Sequence, residues 1–166
     1  MRVVKVTAVD VTAEAFAPFG WLPVDDTDPA DGLHTLTYEG GDPHCNVIAH
    51  EYDEVDHTGA GALCTRMYRH DTHTQVLMPI NVEAVVAVAP ADADFTDATD
   101  VERIRAFHLR PLDVVVLHPG TWHWGPFPLG AEAVRLLNVQ ARGYVDDNAE
   151  VYLPDVVGTQ VEVVVA

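Results

Sequence analysis

The chain has 166 residues, a length for which one domain is the default. Apolar residues make up 48% and charged residues 21%, which excludes a disordered tail, a collagen or a coiled coil. The 26 acidic residues against 9 basic ones leave a net charge of −17. A field of that sign repels phosphate backbones and anionic lipid, so neither nucleic acid nor a membrane is an expected partner.

In chain order, short valine-rich runs predict strands at 3–6, 46–50, 63–70, 75–78, 82–89, 104–109, 113–117, 134–140 and 162–165. A short helix is predicted over 13–19, with Thr12 accepting from first-turn N–H groups, Glu14 suited to the N-terminus and Gly20 as a stop. A second helical turn is predicted at 99–103. Between the runs lie turn formers such as Gly59 and Gly61, Pro79, Pro90, Pro111, and Pro119 with Gly120. Many short β-branched segments at this spacing predict an all-β antiparallel sandwich or barrel rather than alternating βαβ units. Residues 1–166 read as a single domain, with surface loops at 25–31 and 91–100. The N-terminal residues lack the apolar core and cleavage site of a signal peptide, and no apolar run spans a bilayer. Cys45 and Cys64 are too few for a disulfide scaffold and are read as small buried apolar side chains. The expected location is therefore the cytoplasm.

Nine histidines are more than a core of this size needs, and four fall in two tight groups. His70 and His73 lie just before the strand that begins at Gln75, and period-two alternation aims His73 and Gln75 at one face. His118 and His123 flank Pro119-Gly120, a pair suited to a type II turn that brings the two imidazoles together. Both groups sit at strand ends, where a barrel has its mouth. Imidazole ligates transition metals and titrates near neutrality, so either chemistry is open to the four. His34, His44, His50, His57 and His108 are read as background, and Trp122 as packing or a pocket wall.

Pro119-Gly120-Thr121-Trp122-His123 resembles the second signature of the cupin superfamily, and the segment from His70 through Gln75 to Glu83 resembles the first. Within that superfamily the closer likeness is to the ureidoglycolate lyase family. It runs through Ala15-Phe16-Ala17-Pro18-Phe19-Gly20, Tyr68-Arg69-His70, Thr74-Gln75-Val76-Leu77-Met78-Pro79, Arg105-Ala106-Phe107, and His118 with Thr121-Trp122-His123. Gln75 agrees with this family where metal-binding cupins carry a glutamate.

The resemblance implies a cupin-like antiparallel β-barrel (a double-stranded β-helix) with one or two short helices. It also implies a homodimer and an enzyme that eliminates urea from ureidoglycolate to leave glyoxylate, in allantoin and purine breakdown. On that reading His118 and His123 form the acid/base pair with His70 as a third candidate, and Gln75 binds the ureido group. Arg69 and Arg105 are the expected carboxylate forks, and Trp122 lines the substrate site. No cofactor is firmly implied, but a divalent metal held by His70, His73, Gln75 and His123 is an alternative. Two rival readings stand beside the lyase: a metal-dependent cupin dioxygenase or isomerase acting on another small acid, and a non-catalytic metabolite-binding cupin.

Overall fold

β-branched side chains pack well on a pleated surface, and the valine-rich runs extend accordingly. The computed structural model, which describes residues 1–166, has thirteen strands and two short helices. They are β1 (Arg2–Asp10), α1 (Ala13–Phe16), β2 (Gly20–Trp21), β3 (Pro43–His50), β4 (Gly61–Cys64), β5 (Arg66–Arg69), β6 (Gln75–Pro79) and β7 (Ala84–Ala89). There follow β8 (Arg105–Leu109), β9 (Val115–Leu117), β10 (Trp122–Pro128), β11 (Val134–Ala141), β12 (Ala149–Tyr152), α2 (Leu153–Val157) and β13 (Thr159–Val165).

Eight strands form one sheet in the order β12-β5-β10-β7-β8-β1-β13-β4, and five form the other in the order β2-β9-β6-β11-β3. β1 runs parallel to β13 and β8, and every other pairing is antiparallel. The fold is all-β, two packed and mostly antiparallel sheets, as the spacing of the β-branched runs predicts. β7 is buried on both faces. Ala84, Val86 and Val88 pack with Phe16, Phe107, Leu77 and Leu136 between the two sheets. Val85, Ala87 and Ala89 pack with Trp122, Trp124, Val161 and Val163, where the larger sheet curls back on itself. Each fully buried Leu, Ile or Phe in these clusters contributes roughly 1.5–3 kcal/mol.

Several local expectations are corrected. The run 63–70 is two strands broken at Thr65, because β4 pairs with β13 while β5 pairs with β10 and β12. The segment 122–128, for which no strand is predicted, is the strand β10, with a register shift between Trp124 and Phe127. Thr12 caps α1 as expected, accepting from Ala15 N at 3.2 Å. The helix nevertheless ends at Phe16, since Pro18 has no N–H to continue it. The predicted turn at 99–103 is a 3₁₀ helix, Ala98–Arg103, whereas β12 and α2 were not predicted. Cys64 is buried but Cys45 is exposed, because β3 is an edge strand and Cys45 faces out. No helix is long and apolar enough to cross a membrane.

Candidate active site

Alternation along four strands builds the site. His123 on β10 lies in register with Tyr68 on β5 and Val88 on β7, so all three face the barrel interior. His70 follows Tyr68 on the same side. From the other sheet, Gln75 of β6 and Asn138 and Gln140 of β11 are buried. His70, Gln75, His123 and Gln140, with Tyr144 and Asn148 from the turn after β11, line a cavity of about 200 Å³. Its lining includes no Arg, Lys, Asp or Glu. His50, Tyr68, Trp124 and Phe127 are shared with an outer cavity of about 600 Å³, whose rim carries Asp53, Glu54, Asp56 and Arg66.

The imidazoles sit close together, His70 stacked on His73 at 4.6 Å between ring centroids and 5.5 Å from His123. His70 Nδ1 lies 2.8 Å from the main-chain oxygen of Asp147. A carbonyl can only accept, so Nδ1 carries the proton and Nε2 is left as an acceptor. The Asp147 carboxylate accepts from Asp71 N at 3.0 Å, Thr72 N at 2.9 Å and Thr72 Oγ1 at 2.6 Å. It also meets His73 Nδ1 at 3.1 Å. Partial burial pulls this carboxyl upward, but the hydrogen bonds from Thr72 and Asp71, with His73 beside it, hold it at about 2.

Burial first, and His70 second, push the His123 pKa down to about 4, leaving that ring neutral at pH 7. His73 is pushed in the same direction by burial and by His70, with Asp147 opposing.

The structure does not join His118 to His123. The Pro119-Gly120 turn forms, with Thr121 N donating to His118 O at 3.1 Å and Gly120 at φ 83°. His118 nevertheless turns outward, beside Trp21, Leu36 and Thr74. Arg69 and Trp122 are also off the cavity. They alternate with Tyr68 and His123 and so face the opposite side, where the guanidinium lies 4.6 Å from the indole centroid. There Trp122 Nε1 donates to Ala93 O at 2.7 Å. Arg105 is exposed in a separate groove with Val9, Phe19 and Phe107, its Nη1 donating to the Glu102 and Ile104 carbonyls at 2.8 and 3.0 Å. His73 is buried behind His70 rather than on the cavity wall. His50, read as background, lines the cavity.

Sequence reasoning missed Asp147, Gln140 and Asn138. The last two carried a signal, since Asn138 and Gln140 put polar side chains on the inward face of an otherwise apolar strand, in phase with Leu136. Asp147 lies in a turn and carried none.

His70, His73 and Asp147 bring potential ligand atoms within 4.8 Å of one another, but the Asp147 oxygens already accept from Asp71, Thr72 and His73. The unspent atoms are different ones. His73 Nε2 and Gln75 Oε1 are buried with no partner, and His70 Nε2 and His123 Nε2 are engaged by no protein group. Neutral imidazoles and an amide oxygen are donors that a divalent transition metal accepts, so this set fits such an ion.

A family model described as ureidoglycolate lyase matches residues 3–162. No curated protein matches the chain. Among solved structures, a Bacillus subtilis oxalate decarboxylase studied for its Mn(II) centres is 18% identical over 68% of this chain and 24% of its own, with a TM-score of 0.44. The formate complex of Lactobacillus farciminis oxalate decarboxylase is 15% identical over 69% of this chain and 28% of its own, with a TM-score of 0.43. The chain thus spans about a quarter of the length of these two structures.

Proposed function

The chain belongs to the ureidoglycolate lyase family, and on that footing we propose that its interior cavity eliminates urea from ureidoglycolate to give glyoxylate. The observation that carries the reading is the convergence of His70, Gln75 and His123 on one small cavity. In ureidoglycolate one carbon bears a hydroxyl, a ureido nitrogen and a carboxylate. Elimination moves one proton from oxygen to nitrogen, while the C–N electron pair leaves with urea and the C–O bond becomes a carbonyl.

His70 Nε2, free because Nδ1–H is committed to Asp147, takes the hydroxyl proton. His123 supplies the proton to the departing nitrogen. It gains that proton with the substrate anion, since a carboxylate beside it offsets the burial that otherwise keeps it neutral. Gln75 Oε1, with no protein partner, accepts from the terminal NH₂ of the ureido group. Each positioned proton transfer contributes roughly a hundred- to ten-thousand-fold.

A divalent cation is a second reading, favoured by the unspent Gln75 Oε1 and His73 Nε2. His70, His73, His123 and Gln75 would hold it, and it would polarise the hydroxyl and anchor the carboxylate that no arginine reaches. Glyoxylate release with and without EDTA separates the two readings: activity that survives chelation leaves the chemistry to the histidines.

We further read the protein as a cytoplasmic homodimer acting in purine (allantoin) breakdown. What supports the dimer is the outer face of the five-stranded sheet. There Cys45, Val47, Val76, Met78, Leu137 and Val139 point outward in phase, none of them buried, and Arg135 is the charged residue beside them. A second copy of a chain carrying −17 can approach only where carboxylates are absent.

A further inference from the structure

Four carboxamides run through the barrel wall in an unbroken line. Gln75 Nε2 donates to Asn138 Oδ1 at 2.9 Å and to Gln140 Oε1 at 3.0 Å. Asn138 Nδ2 in turn donates to Asn46 Oδ1 at 2.8 Å on the edge strand β3. Asn138 is fully buried, and Gln75 and Gln140 are 6% and 8% exposed. The fold does not require these groups, since apolar side chains at inward positions of β6 and β11, such as Leu77 and Leu136, pack without leaving polar atoms to satisfy.

The line ends on two unspent groups. Gln75 Oε1 is buried with no partner, and Gln140 Nε2 donates to no protein atom. Both residues line the cavity. Two amides joined at 3.0 Å thus leave one acceptor and one donor on the same cavity, the complement of a primary carboxamide, which offers an N–H₂ and a carbonyl on one edge.

We propose that Gln75 and Gln140 together read the ureido end of the substrate. Gln75 Oε1 accepts from the terminal NH₂ and Gln140 Nε2 donates to the ureido carbonyl. Asn138 and Asn46 are positioning residues that fix which end of Gln75 faces the ligand. The inference rests on the lyase reading and assigns the specificity of that same cavity. It explains why the position carries an amide: a carboxylate there accepts from the NH₂ equally well but cannot donate to Asn138 and Gln140. A substrate lacking the carboxamide leaves buried polar groups unpaired, which a site of this kind rejects strongly.

The test uses the two products as separate probes. Direct binding of urea and of glyoxylate is measured by titration calorimetry on the wild type, on Gln140→Met, and on Asn46→Ala, whose exposed edge position spares the core. Thermal melts confirm that each is folded. The expected result is about a tenfold loss of urea affinity in Gln140→Met, the effect of one buried hydrogen bond. A smaller loss is expected in Asn46→Ala, with glyoxylate affinity changed less than about twofold in both. Urea affinity equal in all three proteins overturns the assignment, even when the wild type turns over ureidoglycolate. A wild type that binds urea through Gln140 yet releases no glyoxylate from ureidoglycolate upholds the carboxamide site and rejects the lyase chemistry.

Discussion

The main-chain carbonyl of Asp147 and Nδ1 of His70 are 2.8 Å apart, so a turn far along the sequence sets the tautomer of an imidazole on the cavity wall. The same residue's carboxylate holds the loop between His70 and His73 through Asp71 N and Thr72. Asp147→Ala releases both loops together. The expected outcome is a fall in kcat of roughly tenfold to a hundredfold from lost positioning. Asp147→Asn, which keeps one accepting oxygen, stays closer to wild type. Steady-state kinetics on the two variants, with melting temperatures alongside, check this.

Acid weakens the fold in two stages. His123 has a folded pKa of about 4 against an ordinary 6.5. Between those values the unfolded chain takes up a proton that the folded one refuses, and stability falls as pH drops. Asp147 has a folded value of about 2 against an ordinary 3.8; its contribution is full above 3.8 and disappears as pH falls through about 2. Urea or thermal unfolding across pH 8 to 3 should show stability declining below about 6.5. The variant His123→Phe should flatten the upper part of that decline, and an unchanged slope contradicts the assignment.

The acidic surface makes stability depend on salt. Self-repulsion at −17 is screened as the Debye length shrinks from about 10 Å at 0.1 M to about 3 Å at 1 M. The melting temperature should rise from low to molar salt, and a constant value counts against repulsion as a significant cost.

Light scattering tests the carboxylate-free sheet face. The wild type should run as a dimer, and Leu137→Glu, which places a charge opposite Val47, should run as a folded monomer. A monomeric wild type removes the proposed interface.

The strands were legible because valine marks them directly, and the buried face of β6 followed from alternation after Gln75. The ends of elements were less so. Nothing local says that β4 and β5 take different partners at Thr65. Which of the singled-out residues meet in the cavity was legible only in part, for a related reason. His70, Gln75 and His123 stood out by type, but which face each side chain occupies depends on strand register. Once 122–128 is known to be a strand, Trp122 and His123 must face opposite ways, as alternation along β5 parts Arg69 from Tyr68. His118 lies beyond the end of β9, where no alternation constrains it. Asp147 reaches the site through a long-range contact with His70, which local patterns do not encode.

The most direct measurement is glyoxylate release from racemic ureidoglycolate by the wild type, His123→Ala and His118→Ala, each in molar salt and shown to be folded. Turnover by the wild type, near-normal turnover by His118→Ala, and a loss of roughly a hundred- to ten-thousand-fold in His123→Ala are the expected results. A folded wild type that releases no glyoxylate contradicts the proposed reaction. Equal losses in the two variants contradict the placement of the chemistry in the interior cavity.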